Sequence, residues 1–494
     1  MGAGRFEEDP VGSHDYPREG TPENNNRYVQ ASSGWATPHP PRRNYPMTDQ
    51  TSHRTIGLAA AVFTLVGYVI GASIFVLPGQ LAAEAGPAAF LSYLIAGGLA
   101  AISCLVGASI GSAVHVSGAA NVAVARTLAP VYGFLGVWIT VVSVVVSIAL
   151  VAYGLADYIA YFWPAADRRW VALASVVVFA VLNLTTVQLT VSVQIAMTIG
   201  FLVIMFGFGI GGVANAKPEL ITPFMPNGFG PVANGAVLAF LSYAGITVIT
   251  ELGGEIKNPA RTIPLTLLIG FVVVLTSYAL VSFAVPALLP WQSLKETSAP
   301  VARAAEVFLP SWIGGVIAIA AVLAAATSIN GMLLIHSRDI LAMARARVFP
   351  EGLAARNRAG VPAQAVGLMT VLSIVAVLLG GTIRQYAMMA VMGVMILQVL
   401  QGLALLRMSK AMPSEWAAAG FRLEGASRTV VVTLLLLMSA GFFALGFLDN
   451  LVISAGYLAV LAAGAAYYAI RRRRLAASGY DMDAVLRAGA TAEG

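Results

Sequence analysis

Residues 67–79 read GYVIGASIFVLPG, and residues 240–264 read FLSYAGITVITELGGEIKNPARTIP. Each is an apolar run interrupted by groups that a helix interior does not favour. The first run contains Gly67, Gly71, the small pair Ala72-Ser73 and Pro78. A glycine there costs about 1 kcal/mol relative to alanine. Taken alone, Gly67 and Gly71 fit close helix packing as a Gly-xxx-Gly pair. The second interruption, Ser242-Tyr243-Ala244-Gly245, changes that reading, because the two together form a matched pair.

Around these stretches the chain is lipid-soluble. Its 494 residues are 58% hydrophobic and 11% charged, whereas soluble domains carry about 25% charged residues. That composition excludes an ordinary water-soluble body and points to an all-α integral membrane protein partnered with the lipid bilayer. Apolar segments run over 56–82, 88–114, 131–162, 170–186, 189–214, 232–254, 262–289, 312–344, 363–382, 385–408, 428–447 and 450–470. Each is near or above the roughly 20 residues that cross a bilayer as a helix. Twelve transmembrane helices are expected, numbered here as spans one to twelve.

On that count the breaks fall in spans one and six. These are equivalent places in two five-helix halves, which have opposite topology because five is odd. Matched interrupted helices in a 5+5 inverted repeat mark the central site of a transporter. At such a break, half-helix N-termini present N–H groups to an anion, and freed carbonyls can hold a cation or ammonium. A zwitterion such as an amino acid fits that pair of poles.

The expected organisation is a disordered polar tail over 1–54, a ten-helix core over 55–410, helices eleven and twelve over 411–471, and a C-tail over 472–494. The tail, rich in Pro, Asn and Gly, cannot offset chain entropy by burial. It has no apolar h-region, and Arg42-Arg43 lies too far from the first apolar run to read as a twin-arginine signal. Of the 29 Lys and Arg residues, 23 fall on the side of the termini. Both termini are therefore expected in the cytoplasm, with the protein in the inner (plasma) membrane. Arg471 to Arg474 then anchor the chain at an anionic leaflet, and no nucleic-acid partner is expected. The lone Cys104 excludes a disulfide framework. No nucleophile elbow or HExxH motif occurs, which argues against an enzyme.

At the two breaks the chain resembles the amino acid–polyamine–organocation permeases. Gly71-Ala72-Ser73-Ile74-Phe75 with Leu77-Pro78, then Ala85-Gly86-Pro87, is similar to their first-helix motif. Glu255-Ile256-Lys257-Asn258-Pro259, with Arg261 and Ile263-Pro264, is similar to the segment after their sixth helix. Residues 337–362, SRDILAMARARVFPEGLAARNRAGVP, resemble the link after their eighth. The resemblance implies the family's inverted-repeat fold and a small-molecule substrate, an amino acid or amine. It implies a carboxylate pole at Ile70, Gly71, Ala72, Ser73 and Ile74. Leu241, Ser242 and Tyr243 become the ammonium pole, with Gly245 beside them and Thr247 facing the substrate side chain. Ser73 stands where the family usually has glycine, which crowds the site and favours a small substrate. The neutral Thr247 argues against cationic substrates.

The expected activity is ion-coupled symport of a small neutral amino acid, with an uncoupled exchanger or a non-transporting sensor as alternatives. No cofactor is expected beyond Na+ or H+ as coupling ion. The position matching the lysine of proton-coupled relatives is read as Phe201. The resemblance implies a sodium site from Gly67 and Ile70 carbonyls with Thr327 and Ser328 hydroxyls; the competing reading is that both hydroxyls bond back to their own helix. Glu251 is either a proton carrier or an ion-pair partner of Lys257 or Arg261. Glu255, Lys257, Arg338 and Asp339 are candidates for a cytoplasmic gate or for static anchors. Asp157 and Glu84 are read as interfacial, and His115 and His336 as polar caps.

Overall fold

The structure is a computed structural model that describes residues 54–71, 73–297, 299–381, 383–449 and 451–488. The expected disordered tail, apart from Arg54, and the place of Ala72 at the carboxylate pole fall outside the described residues. Among the described residues the chain is all-α, with β-pairing limited to the bridges Ile56–Ile256 and Ser117–Leu252.

Span two is Ala89–Ala113, three Pro130–Ile159, four Arg168–Asn183, five Val187–Ala214 and seven Pro259–Leu288. Span eight is Ile313–Arg345, nine Ala363–Leu379, ten Ile383–Ala411, eleven Gly425–Asp449 and twelve Leu451–Ala477. Spans three and seven begin with proline at the first helical position, where its missing N–H leaves no bond unmade. By length and apolar composition, eight of the described helices can cross a membrane. Leu58–Ile70, Phe229–Leu241 and Ala363–Leu379 are apolar but shorter, and span four has 16 residues.

Spans one and six are short because they are interrupted. Span one divides into Leu58–Ile70 and Ser73–Ala85. At the junction Gly71 has φ +51°, a conformation that residues with a Cβ seldom adopt. Span six is α-helical only over Phe229–Leu241, after which residues 242–247 form turns and Val248–Glu251 a 3-10 turn. The sequence reading carried this span to residue 254, and the structure corrects it: no α-helix resumes before Pro259. The cause lies in the residues. Gly245 sits at φ +85°, five β-branched residues follow from Ile246 to Thr250, and Gly253-Gly254 come next; all of these disfavour helix.

Irregular backbone at membrane depth is tolerated only when the protein satisfies its polar groups. Here Gly118 N donates to Glu251 O at 3.1 Å, Ile56 N to Glu255 O at 3.0 Å and Lys257 N to Ile56 O at 2.9 Å. These bonds gather the start of span one, the segment after span six and the link between spans two and three at one end of the bundle.

The C-terminal segment packs at that same end. Met482–Ala488 forms a short helix with Met482 and Leu486 buried. Arg126 donates through Nε to Arg487 O, and Arg472 pairs with Asp483 at 3.0 Å. Arg471 Nε donates to Arg347 O, so part of the arginine run is held by protein. We call this end the basic side.

Candidate functional site

The two breaks meet at a residue from span seven. Tyr278 Oη lies 3.0 Å from Ile70 O and 2.9 Å from Ser242 O, its one hydrogen shared between a carbonyl from each break. Ser73 Oγ donates to Ile70 O at 3.0 Å and lies 3.2 Å from Tyr278 Oη. The extra hydroxyl at Ser73 is therefore engaged by the break itself. The Tyr278 ring stacks on Tyr93 and meets Tyr243 edge-on, each with centroids 5.2 Å apart. Tyr243 Oη donates to Tyr93 O at 3.1 Å. Three buried tyrosines thus fix the position of the unwound backbone.

Beside the breaks lies a cavity of about 780 Å³. Span three contributes Thr140, Ser143, Val144, Ser147, Val151 and Tyr158 among its lining residues. Mostly three, four or seven residues apart, they form one helical stripe that runs roughly 27 Å along the axis. Span ten adds Val394, Gln398 and Gln401, and span eight adds Ser328, Met332 and His336 at four-residue steps. Of the expected substrate residues, Ile70, Gly71, Ser73, Leu241, Tyr243, Gly245 and Thr247 line the cavity. Ile74 and Ser242 are instead buried behind it.

The lining includes two carboxylates, Asp157 and Glu251. Asp157 is held by Arg168 at the far end, its Oδ2 at 2.8 Å from Nη2, which fits its interfacial reading. Glu251 lies toward the basic side. Next to the breaks the lining is hydroxyls, amides and aliphatic groups.

The amino acid permease family model matches residues 56–469. The chain belongs to the amino acid permease family. It is a membrane transporter rather than an enzyme. Over 307 residues the permease is 33% identical to an uncharacterized transporter of Mycobacterium tuberculosis, covering 61% of this chain and 68% of that one. Over 326 residues it is 26% identical to the branched-chain amino acid permease BcaP of Bacillus subtilis, covering 62% and 70%. The methylthioribose transporter of the same organism is 25% identical over 327 residues, covering 62% and 71%.

The sodium candidates of the permease are placed unequally. Thr327 Oγ1 donates to Ala324 O at 2.7 Å, back along its own helix. Ser328 Oγ crosses to span one and lies 3.2 Å from Gly67 O and 2.9 Å from Tyr68 O. Gly67 is the point of closest approach. A Cβ there would collide with Thr198 Oγ1 and would sit 2.8 Å from Gln194 Nε2. The span-five side chains that meet span one at Gly67 are therefore Thr198 and Gln194, and Phe201 further along the same span is buried. Gln194 Oε1 accepts from Asn330 Nδ2 at 2.8 Å, and Asn330 Oδ1 accepts from Asn183 at 2.8 Å.

The gate candidates divide. Arg338 Nε donates to Glu255 Oε1 at 2.9 Å, joining span eight to the segment after span six. Lys257 is exposed. Asp339 Oδ2 accepts instead from His336 Nδ1 at 2.8 Å. His336, read from sequence as a polar cap, is buried, and its Nε2 lies 3.0 Å from Tyr68 Oη. His115 does behave as a cap, its Nε2 2.8 Å from Ser112 O.

Tyr68, Tyr93, Tyr278, Gln194, Asn330 and the role of His336 were missed from sequence. Two polar residues eight apart on one face of span eight, Ser328 and His336, were the signal available for one of them.

Proposed function

We propose that the permease carries a small neutral amino acid across the plasma membrane by alternating access, as an ion-coupled symporter with both termini in the cytoplasm. The observation that carries this reading is the Tyr278 hydroxyl shared between Ile70 O and Ser242 O, where both broken spans face one cavity. First-turn N–H groups of Ser73–Ala85 have no intrahelical partners and suit a carboxylate. Carbonyls between Leu241 and Gly245 accept bonds from the turns and from Tyr278, and the second lone pair of such an oxygen suits an ammonium. Ala244, Thr247, Val144 and Met332 would surround a compact uncharged side chain.

Matched breaks in spans one and six support twelve spans with ten in an inverted repeat. Closure would follow from substrate bridging the two broken segments more tightly in the occluded state. The domain limits read from sequence belong to the same proposal.

The test is counterflow in proteoliposomes loaded with L-alanine. Labelled L-alanine should enter and should be displaced by L-valine or L-serine but not by L-arginine or L-glutamate. Equal displacement by arginine would overturn the neutral-substrate reading.

A further inference from the structure

Two carboxylates toward the basic side, of which Glu251 lines the cavity and Asp339 the space beside it, are given no part above in holding an amino acid. Glu251 closes the 3-10 turn after the sixth break and is 7% exposed; Asp339 on span eight is 1% exposed. They converge on Gly118 in the link between spans two and three. A Cβ on Gly118 would lie 3.8 Å from Glu251 Oε2 and 3.9 Å from Asp339 Oδ1. Those same two oxygens have no hydrogen-bond partner among the described residues.

The other Asp339 oxygen is bound to His336 Nδ1, and His336 Nε2 to Tyr68 Oη. A neutral imidazole protonated on Nδ1 satisfies both bonds, donating to Asp339 and accepting from Tyr68. Glu251, His336 and Tyr68 line the substrate cavity. Asp339 lines instead a separate space of about 50 Å³ toward the basic side, shared with Ser117, Arg345 and Leu486. The group therefore sits between the substrate cavity and the basic side.

The surrounding charges are committed elsewhere or lie on the far side of Asp339. Arg338 on span eight is bound to Glu255 and to Leu334 O. Arg345 lines the small space behind Asp339. After span six, Lys257 is exposed. In the link between spans two and three, His115 is turned to Ser112 O and Arg126 to Glu415. From the C-terminal helix, Asp483 is paired with Arg472 and Arg487 is exposed. Two ionised carboxylates buried around one glycine repel, and a proton on either removes that repulsion.

We infer that Glu251 and Asp339, linked through His336 to Tyr68, bind the coupling proton. The inference rests on the symport reading above and names its ion. The proton enters Glu251 from the substrate cavity, crosses to Asp339 and leaves toward the basic side. Coupling to substrate is mechanical. Tyr68 lies two residues before Ile70, and its ring packs against Gly245 of the sixth break. Drawing the two breaks onto a substrate moves Tyr68 and Glu251 together, so protonation and substrate binding favour the same state, and each strengthens the other.

The experiment uses full-length protein in proteoliposomes with the membrane potential clamped at zero and labelled L-alanine outside. With the outside acid by one pH unit, the wild type should accumulate alanine to about tenfold, the ratio one proton per substrate supports. Glu251→Gln should equilibrate at a ratio of one while keeping alanine counterflow. Accumulation in E251Q equal to wild type would overturn the proton site, as would wild-type accumulation driven by a sodium gradient and not by pH. Absence of alanine and valine counterflow in the wild type would overturn the amino acid reading, and this inference with it.

Glu251→Asp guards against a folding defect in E251Q. It retains a titrating group on a shorter side chain and should accumulate alanine with a displaced pH profile. A profile identical to wild type would also overturn the assignment.

Discussion

Replacing Gly245 by alanine probes the junction of the two broken spans through a clash whose partners are known. Gly245 sits at φ +85°, and an L-residue held in the left-handed region costs about 1–2 kcal/mol. The added Cβ would lie 3.1 Å from Tyr68 Cδ1 and 3.3 Å from Cζ, and closer still to Cε1. The ring has little room to retreat, because on its other edge a Cβ at Gly331 would already be 3.2 Å from Cδ2. Overpacking of this kind costs about 1–3 kcal/mol. G245A should therefore destabilise the permease by roughly 2–5 kcal/mol.

In a Tyr68→Ala background only the backbone strain remains, so the same substitution should cost about 1–2 kcal/mol. The assay is a double-mutant cycle on thermal midpoints of detergent-purified protein, with alanine counterflow measured in parallel. G245A should lower the midpoint by several degrees in the wild-type background and by less than half as much in Y68A. An equal fall in both backgrounds would refute the proposed contact between the breaks.

Tyr278→Phe removes the hydroxyl shared by Ile70 O and Ser242 O and leaves Ser242 O short of a partner. It should cost about 1–3 kcal/mol, read as a lower midpoint with weakened alanine binding; unchanged binding would separate the tyrosine from the site. Ser328→Ala removes the bonds from span eight to Gly67 O and Tyr68 O and should impair counterflow more than Thr327→Ala, whose hydroxyl bonds within its own helix. A larger effect in T327A would reverse that ranking. Glu255→Gln leaves the Arg338 guanidinium, with a side chain 5% exposed, short of its counter-charge and should cost about 3 kcal/mol. The double variant with Arg338→Gln should recover part of the loss, and simple additivity of the two would count against a paired role.

The positions of both breaks were legible in sequence because backbone conformation is a local property. Gly71 and Gly245 are among the positive-φ residues, and their neighbours favour helix interruption on composition alone. The extent of the second break was not: apolarity carried the expected span to residue 254, although the β-branched run from Ile246 to Thr250 disfavours helix. What sequence did not show are contacts between distant segments. Tyr278 meets Ile70 from 208 positions away, and nothing local to span seven marks it. His336 was placed near a helix end by its distance from the basic link. Span eight ends at Arg345, within a residue of the expected end, and it is the contacts with Tyr68 of span one and with Asp339 that bury His336. Asp339 was grouped with Lys257 by charge, but the nearer partner on its own helix turn holds it.

The most direct measurement is competition for labelled L-alanine on the purified permease, using all twenty amino acids. Small neutral amino acids should displace the label from wild type, arginine and lysine should not, and Tyr278→Phe should weaken displacement across the whole series. Displacement by cationic amino acids as strong as by alanine, or retained full affinity in Y278F, would contradict a small-neutral-substrate site built between the two broken spans.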